Sequence, residues 1–420
     1  MPHIILLGTL DTRLEEFKFL QSQLLSNLNF PQRPRITVID CGRSEVKDDV
    51  ISIRQADLVT KHGHESAGSL PSMSRGEVIK FMTSCATKCV KQLIATENVH
   101  AIFGAGGSGG TSLISAVMRD AAPIGMPKLI VSTVASGDTG PLVGETDITM
   151  MYSVVDIAGS NSILETVLSN AAAAILAMGA SYESHQSQHR DQSRLRIGIT
   201  MFGVTTPGVD AIRHRLEHHH QAEVLVFHAT GHGGKAMERL VREGQLDAVI
   251  DLTTTEICDH LMGGNMSGGP DRLEAALKAG IPTIISLGAL DMVNFGPKST
   301  VPAKYKNRKL LEHNPTVTLM RTNAEECKAV GGFMVDKINR FASDPHRVQV
   351  WVPMGGISMI AIPGAVFHDA VADEALFSSL RRGLNGKDIK LIEDDRDINN
   401  KDLAVSIADT LIDIINERAE

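Results

Sequence analysis

The chain has 420 residues, 43% hydrophobic, 21% charged and only 4% aromatic, with 37 glycines and a formal net charge of -8. That length exceeds one ordinary core and predicts two domains of about 200 residues each. The mild acidity argues against non-specific nucleic-acid or membrane binding through a basic face, and many glycines with few aromatics fit an α/β protein better than a β-sandwich.

His3 to Leu7 is a short aliphatic run closed by Gly8-Thr9, and a helical apolar period follows from Leu14 to Leu25, so the order is strand, loop, helix. Asp11 or Thr12 is the expected N-cap. Arg35 to Asp40 is the next strand, and Ser44 to Ser74 is polar and aperiodic, a long excursion. Arg75 to Glu97 carries Val78, Met82, Cys85, Cys89 and Val90 along one helical face and leads into an apolar run, Val99 to Phe103. The glycine stretch Gly104 to Ser112 follows, then a helix to Arg119, a strand from Lys128 to Val131 and a small-residue loop, Ser132 to Gly137. Asn161 to Ala180 is a long alanine-rich helix. The five cysteines are scattered and odd in number, which fits reduced thiols, with Cys85 and Cys89 as buried helix positions.

Composition then changes: Ser181 to Ser193 is polar and aperiodic and reads as a linker. The expected domains are residues 1–183 and 195–420, joined by residues 184–194. Past the linker the opening pattern returns, with Arg196 to Met201 as strand and Gly208 to Leu216 as helix, so the second half looks like a distant repeat of the first. Strands at Glu223–Phe227, Ala248–Leu252, Pro282–Leu287, Thr316–Met320 and Arg347–Val352 alternate with helices at Lys235–Arg242, Asp271–Ala279, Ala324–Phe341 and Asp402–Arg418. The prediction is α/β, two Rossmann-like doubly wound domains with mainly parallel sheets. No uninterrupted apolar run reaches about 18 residues, so a cytoplasmic protein with neither a membrane nor a nucleic-acid partner is expected.

In such sheets ligands gather at the carboxyl ends of the strands. Glycines let backbone N–H groups approach an anion, and a following helix adds its N-terminal partial charge, so the Gly104 to Ser112 stretch predicts a phosphate site. It is no Walker A loop, because no Lys follows the last Gly; it does hold Gly104-x-Gly106-x-x-Gly109, and Asp40 is available to a ribose hydroxyl. The second half offers Thr206, His232, Lys235, Glu256 and Asp291 at its strand ends, a set that suits an anionic substrate, with Glu238 as a solvated helix residue. The run His218-His219-His220, with His214 before it, reads as an exposed helix end whose imidazoles face carbonyl oxygens, and no metal ligand is assigned.

Gly8-Thr-Leu-Asp-Thr12, Gly106-Gly-Ser-Gly-Gly-Thr-Ser112, Ser132-Thr-Val-Ala-Ser-Gly137, Phe202-Gly-Val-Thr-Thr-Pro207, Asp251-Leu-Thr-Thr-Thr-Glu256, Gly269-Pro-Asp-Arg-Leu273 and Asp291-Met-Val-Asn-Phe-Gly296 occur in that order. Together they resemble the family of the tomato mosaic virus resistance protein, in its N-terminal domain. The resemblance implies two Rossmann-like subdomains, a homodimer and ATP in the first subdomain, with Mg2+ as an optional companion. Carried over by position, the ATP contacts are Gly8, Asp11, Gly106, Gly107, Ser108, Gly109, Thr111, Ser136 and Gly137. Plant relatives continue into a TIM barrel, which suggests a separate TIM-barrel protein as partner. Arg13 stands where the family often has Lys, and Ala361 replaces the aspartate of its G-x-S-x-x-D-x-P-G motif.

The expected function is therefore that of an ATP-binding two-domain protein acting on a small anionic metabolite in an interdomain cleft. There Thr206 and His232 bind the substrate, Lys235 holds its anionic group, and Glu256 or Asp291 serves as base or metal ligand. The alternative is a non-catalytic, nucleotide-regulated binding or inhibitor protein, and a third is a dinucleotide-dependent oxidoreductase.

Overall fold

The computed structural model describes residues 1–26, 33–63, 70–187 and 194–417, and the chain divides into two units, Met1–Arg190 and Asp191–Glu420. In the first unit the aliphatic runs become five parallel strands, β1 (His3–Gly8), β2 (Arg35–Asp40), β3 (Ala101–Gly106), β4 (Lys128–Ser132) and β5 (Ile148–Tyr152), in the order β2-β1-β3-β4-β5. Alternate residues of β1 enter opposite cores, as the pleat requires. Ile5 and Leu7 pack with helices α2 (Gln55–His62), α3 (Arg75–Thr96) and α4 (Ser108–Ala121). Ile4 and Leu6 pack on the other face, under helix α1 (Leu10–Leu25), and past the short α5 (Gly140–Val143), α6 (Ser162–Ser187) covers the same face.

Several boundaries move. Helix α1 begins at Leu10 with Thr9 at its N-cap, and neither Asp11 nor Thr12 caps it; instead Asp40 Oδ1 accepts from Leu10 N at 3.0 Å. The polar excursion contains α2, and its residues 64–69 lie outside the described set. Helix α6 continues to Ser187, because Ser181 to Ser193 contains neither Gly nor Pro and polarity alone does not end a helix. The rest of the expected linker, residues 188–193, also lies outside the described residues. By length and composition α6 could cross a membrane; in this fold its Leu164, Leu168, Ala171 and Ile175 are core.

The second unit repeats the arrangement. Strands β6 (Arg196–Met201), β7 (Glu223–His228), β8 (Ala248–Thr253), β9 (Thr283–Gly288), β13 (Val348–Pro353) and β14 (Lys390–Asp394) form a parallel sheet ordered β14-β13-β9-β8-β6-β7. Read from β7 to β13, this is the first unit's order. Helices α7 (Thr206–His219) and α13 (Lys401–Asn416) cover one face. The opposite face carries α8 (His232–Arg242), α9 (Glu256–Met262), α10 (Glu274–Ala279), α11 (Ala324–Phe341) and α12 (Ala370–Leu384). One departure is a small antiparallel sheet, β10-β12-β11, from β10 (Met292–Phe295), β11 (Leu310–Asn314) and β12 (Val317–Arg321). The sequence pattern placed the run at Thr316 in the parallel alternation; its partner β10 is only four residues long and reads as loop.

Candidate functional site

In the first unit the chain leaves β1 for β2 and returns on the other side at β3, which makes a topological switch between the carboxyl ends of β1 and β3. The glycine stretch ends there, but it is not a loop of nine residues: Gly104 to Gly106 complete β3 and α4 starts at Ser108, leaving only Gly107 between them. Gly107 is extended (φ -73°, ψ -169°), and no side chain caps α4. The first N–H groups of a 14-residue helix therefore lack a side-chain acceptor. A Cβ on Gly107 would have only Thr133 Oγ1 near it, at 3.8 Å, so the space in front of α4 is open. Ser108 is exposed and Gly109 and Gly110 half-buried, with the Thr9 hydroxyl 4.0 Å from a notional Gly110 Cβ.

Arg75 joins this site, and sequence reading missed it. Its Nη2 lies 3.2 Å from where a Gly109 Cβ would be, and it makes no ion pair or hydrogen bond among the described residues. Arg75 is the first residue of α3, where the helix dipole disfavours a cation; that misplaced charge was the available signal.

Of the other expected contacts, Gly8, Asp11, Gly106 and Thr111 form the frame. A Cβ on Gly8 would lie 2.1 Å from Phe17 Cζ, so this glycine admits the α1 core. Asp11 Oδ2 accepts from Arg43 N and Ser44 N at 2.9 and 3.2 Å and fixes the turn after β2. Thr111 is fully buried, with its hydroxyl 3.1 Å from Gly106 O and 2.7 Å from Ser132 Oγ, joining the ends of β3 and β4. A Gly106 Cβ would come within 3.1 Å of Gly110 Cα, so Gly106 allows the tight entry into α4. Ser136 and Gly137 are exposed on the turn after β4. Asp40 Oδ1 accepts from Leu10 N and Gly42 N while its buried Oδ2 has no partner, and burial raises its pKa to about 6.

The second unit treats the corresponding place differently. Its switch lies between β6 and β8, and β8 leads through Thr254-Thr255 into α9 at Glu256. Glu256 is fully buried: Oε1 accepts from Gly231 N (2.7 Å) and Gly234 N (3.1 Å) at the start of α8, and Oε2 from Arg272 Nε at 2.7 Å. Here a side chain of the protein fills an anion position at a helix N-terminus. Arg272 also grips Asp251 with both terminal nitrogens, one at 2.6 Å, and reaches Glu238 at 3.5 Å. Glu238, expected on a solvated face, is buried and accepts from Leu273 N and Ala275 N, both at 2.6 Å. These bonds hold Leu273 at φ +78°, a conformation costly for a leucine. Burial raises the Glu238 pKa.

Thus Glu256, His232 and Lys235 do meet at the start of α8, with His232 exposed and Lys235 half-buried against Gly269, but the carboxylate is committed to Arg272. In that geometry Glu256, expected as a base or metal ligand, is the anchor of Arg272 and of the first turn of α8. Asp291 lies apart from them on the turn between β9 and β10, fully buried. Its Oδ2 accepts from Ser358 Oγ at 2.9 Å, Oδ1 has no partner, and burial raises its pKa to about 6. The Thr206 hydroxyl bonds Phe202 O at 3.3 Å, inside the first turn of α7. Asp251 and Arg272 were not singled out as a pair, although an aspartate inside the apolar run Ala248 to Leu252 demands a cation. Among the described residues, no three His, Cys, Asp or Glu side chains converge on a metal position.

The N-terminal domain of the Uncharacterised protein family (UPF0261) matches residues 2–184, and its C-terminal domain matches residues 194–415. A UPF0261 protein from Clostridium tetani is 42% identical over 99% of both chains. The ToMV resistance protein Tm-1(GCR237) of Solanum lycopersicum is 38% identical over 98% of this chain, which spans 56% of the tomato protein's length. Among solved structures, UDP-GlcNAc 2-epimerase from Neisseria meningitidis bound to UDP-GlcNAc aligns with 68% of this chain and 82% of its own at 10% identity. The TM-score is 0.22.

Proposed function

The chain belongs to the UPF0261 family, and from that footing we propose that it is an ATP-binding protein whose nucleotide phosphates rest on the N-terminus of α4 in the first unit. One observation carries the reading: α4 opens without a side-chain cap at the β1/β3 switch, with open space before Gly107 and, beside Gly109, the Arg75 guanidinium, which is unpaired among the described residues. Bare N–H groups, a helix dipole and a guanidinium together match a multiply charged phosphate chain. Gly107, Ser108 and Gly109 would supply backbone donors, with Thr9 and Ser136 as hydroxyl candidates. Asp40, whose Oδ2 lacks a partner, is the candidate for a ribose hydroxyl.

Bound nucleotide could support chemistry in the second unit or control binding of a partner. The second use is favoured because Glu256, the carboxylate nearest Lys235 and His232 among the expected catalytic residues, is saturated by Arg272 and two backbone N–H groups. The tomato relative's name, a ToMV resistance protein, agrees with a binding role; a homodimer and a TIM-barrel partner are further parts of this proposal. The test is thermal stabilisation by ATP and by AMP in wild type and Arg75→Gln. Arg75→Gln should lose about tenfold in ATP affinity, since charge-assisted contacts contribute most to phosphate binding, and less in AMP affinity. Equal ATP shifts in the two proteins would remove Arg75 from the site.

A further inference from the structure

The histidines at the end of α7 do not turn to carbonyl oxygens as their sequence position suggests. His220 Nε2 lies 2.9 Å from Asp409 Oδ1, an oxygen it shares with Arg215 Nε at 2.7 Å. His214 and His218 are instead one helical turn apart, both exposed, with ring centroids 4.4 Å apart and planes inclined by 43°. Neither ring has a hydrogen-bond partner among the described residues.

Two imidazole nitrogens bound side by side to one late first-row ion, each at about 2.0–2.1 Å, lie about 3 Å apart. Rings already 4.4 Å apart by centroid reach that spacing through small side-chain rotations, with the helix backbone unchanged. The position also suits a cation electrostatically, because His218 lies in the last turn of α7, where unpaired carbonyls carry partial negative charge. Asp210, a turn before His214 on the same stripe, is engaged by Arg213 at 3.6 Å. The two imidazoles are then the protein's contribution, and water or a second ligand completes the shell.

We propose that His214 and His218 form a two-imidazole site for a divalent late first-row metal ion, with copper(II) bound more tightly than zinc, as the Irving–Williams order requires. The open coordination positions make it an exchangeable site rather than a structural one. It is independent of the nucleotide reading.

The test uses the full chain without an affinity tag and copper(II) or zinc alone, in equilibrium dialysis with copper followed by electron paramagnetic resonance. With 16 histidines in the chain, the variants decide. His214→Gln and His218→Gln should each weaken the tightest site by about tenfold or more and remove the two-nitrogen signature, whereas His219→Gln should leave both unchanged. Both side chains are exposed, so the substitutions spare the fold. Wild-type affinity in both variants, or a loss that follows His220→Gln instead, would overturn the proposal.

Discussion

Replacing Glu256 by alanine separates an anchoring carboxylate from a catalytic one. The substitution leaves the buried Arg272 Nε and the N–H groups of Gly231 and Gly234 without the acceptor they share. Breaking a buried ion pair by removing one partner costs roughly 3–5 kcal/mol, because the remaining charge stays desolvated. Asp251 still holds two Arg272 nitrogens, which favours the lower end. For a unit of this size each kcal/mol shifts Tm by about 2–4 °C, so a fall of roughly 6–20 °C is expected. Scanning calorimetry and urea unfolding measure it. Removing the side chain also vacates an anion position, so formate should restore part of the lost stability in Glu256→Ala and none in wild type. A Glu256→Ala protein as stable as wild type, or a stable Glu256→Gln protein that has lost ATP turnover, would refute the anchor and restore the catalytic reading.

Two glycine substitutions should part company: Gly107→Val, facing open space at the N-cap of α4, should lose no more than about 1 kcal/mol of stability and lose stabilisation by ATP, whereas Gly8→Ala drives a methyl to 2.1 Å from Phe17 Cζ and should destabilise the first unit by about 1–3 kcal/mol. Thermal melts with and without ATP read both. Burial lifts the Asp291 pKa from 3.8 to about 6, so the folded state holds its proton more tightly than the unfolded state does. That contribution to stability is complete below about pH 4 and is lost as pH rises through about 6, on the order of 3 kcal/mol in all. Asp291→Asn should therefore flatten the decline in stability between pH 4 and 7; a decline as steep as that of wild type would show that Asp291 titrates normally.

The doubly wound fold was legible because aliphatic runs such as His3 to Leu7 and Arg196 to Met201 end in small-residue turns and lead into helical periods. Repetition of the opening unit after Ser193 was legible for the same reason, and the shared strand order bears it out. What escaped depends on tertiary partners. Strand β10 is short and exists by pairing with β12, while Ser181 to Ser187 continue a helix because a polar stretch without Gly or Pro does not end one. At the candidate site, Gly107 was readable as a turn residue ahead of a helix, but that Gly8 and Thr111 shape the frame was not, because it turns on the positions of Phe17 and Ser132. Glu256 misled most, because a carboxylate beside Lys235 and His232 in strand-end loops looks chemical until Arg272, sixteen residues on, is seen to hold it.

Isothermal titration calorimetry of the untagged chain with ATP, in wild type and Gly107→Val, tests the central claim most directly. The account predicts saturable binding of one ATP per chain in wild type and none in Gly107→Val. Absence of binding at millimolar ATP, or equal binding in the two proteins, would contradict it.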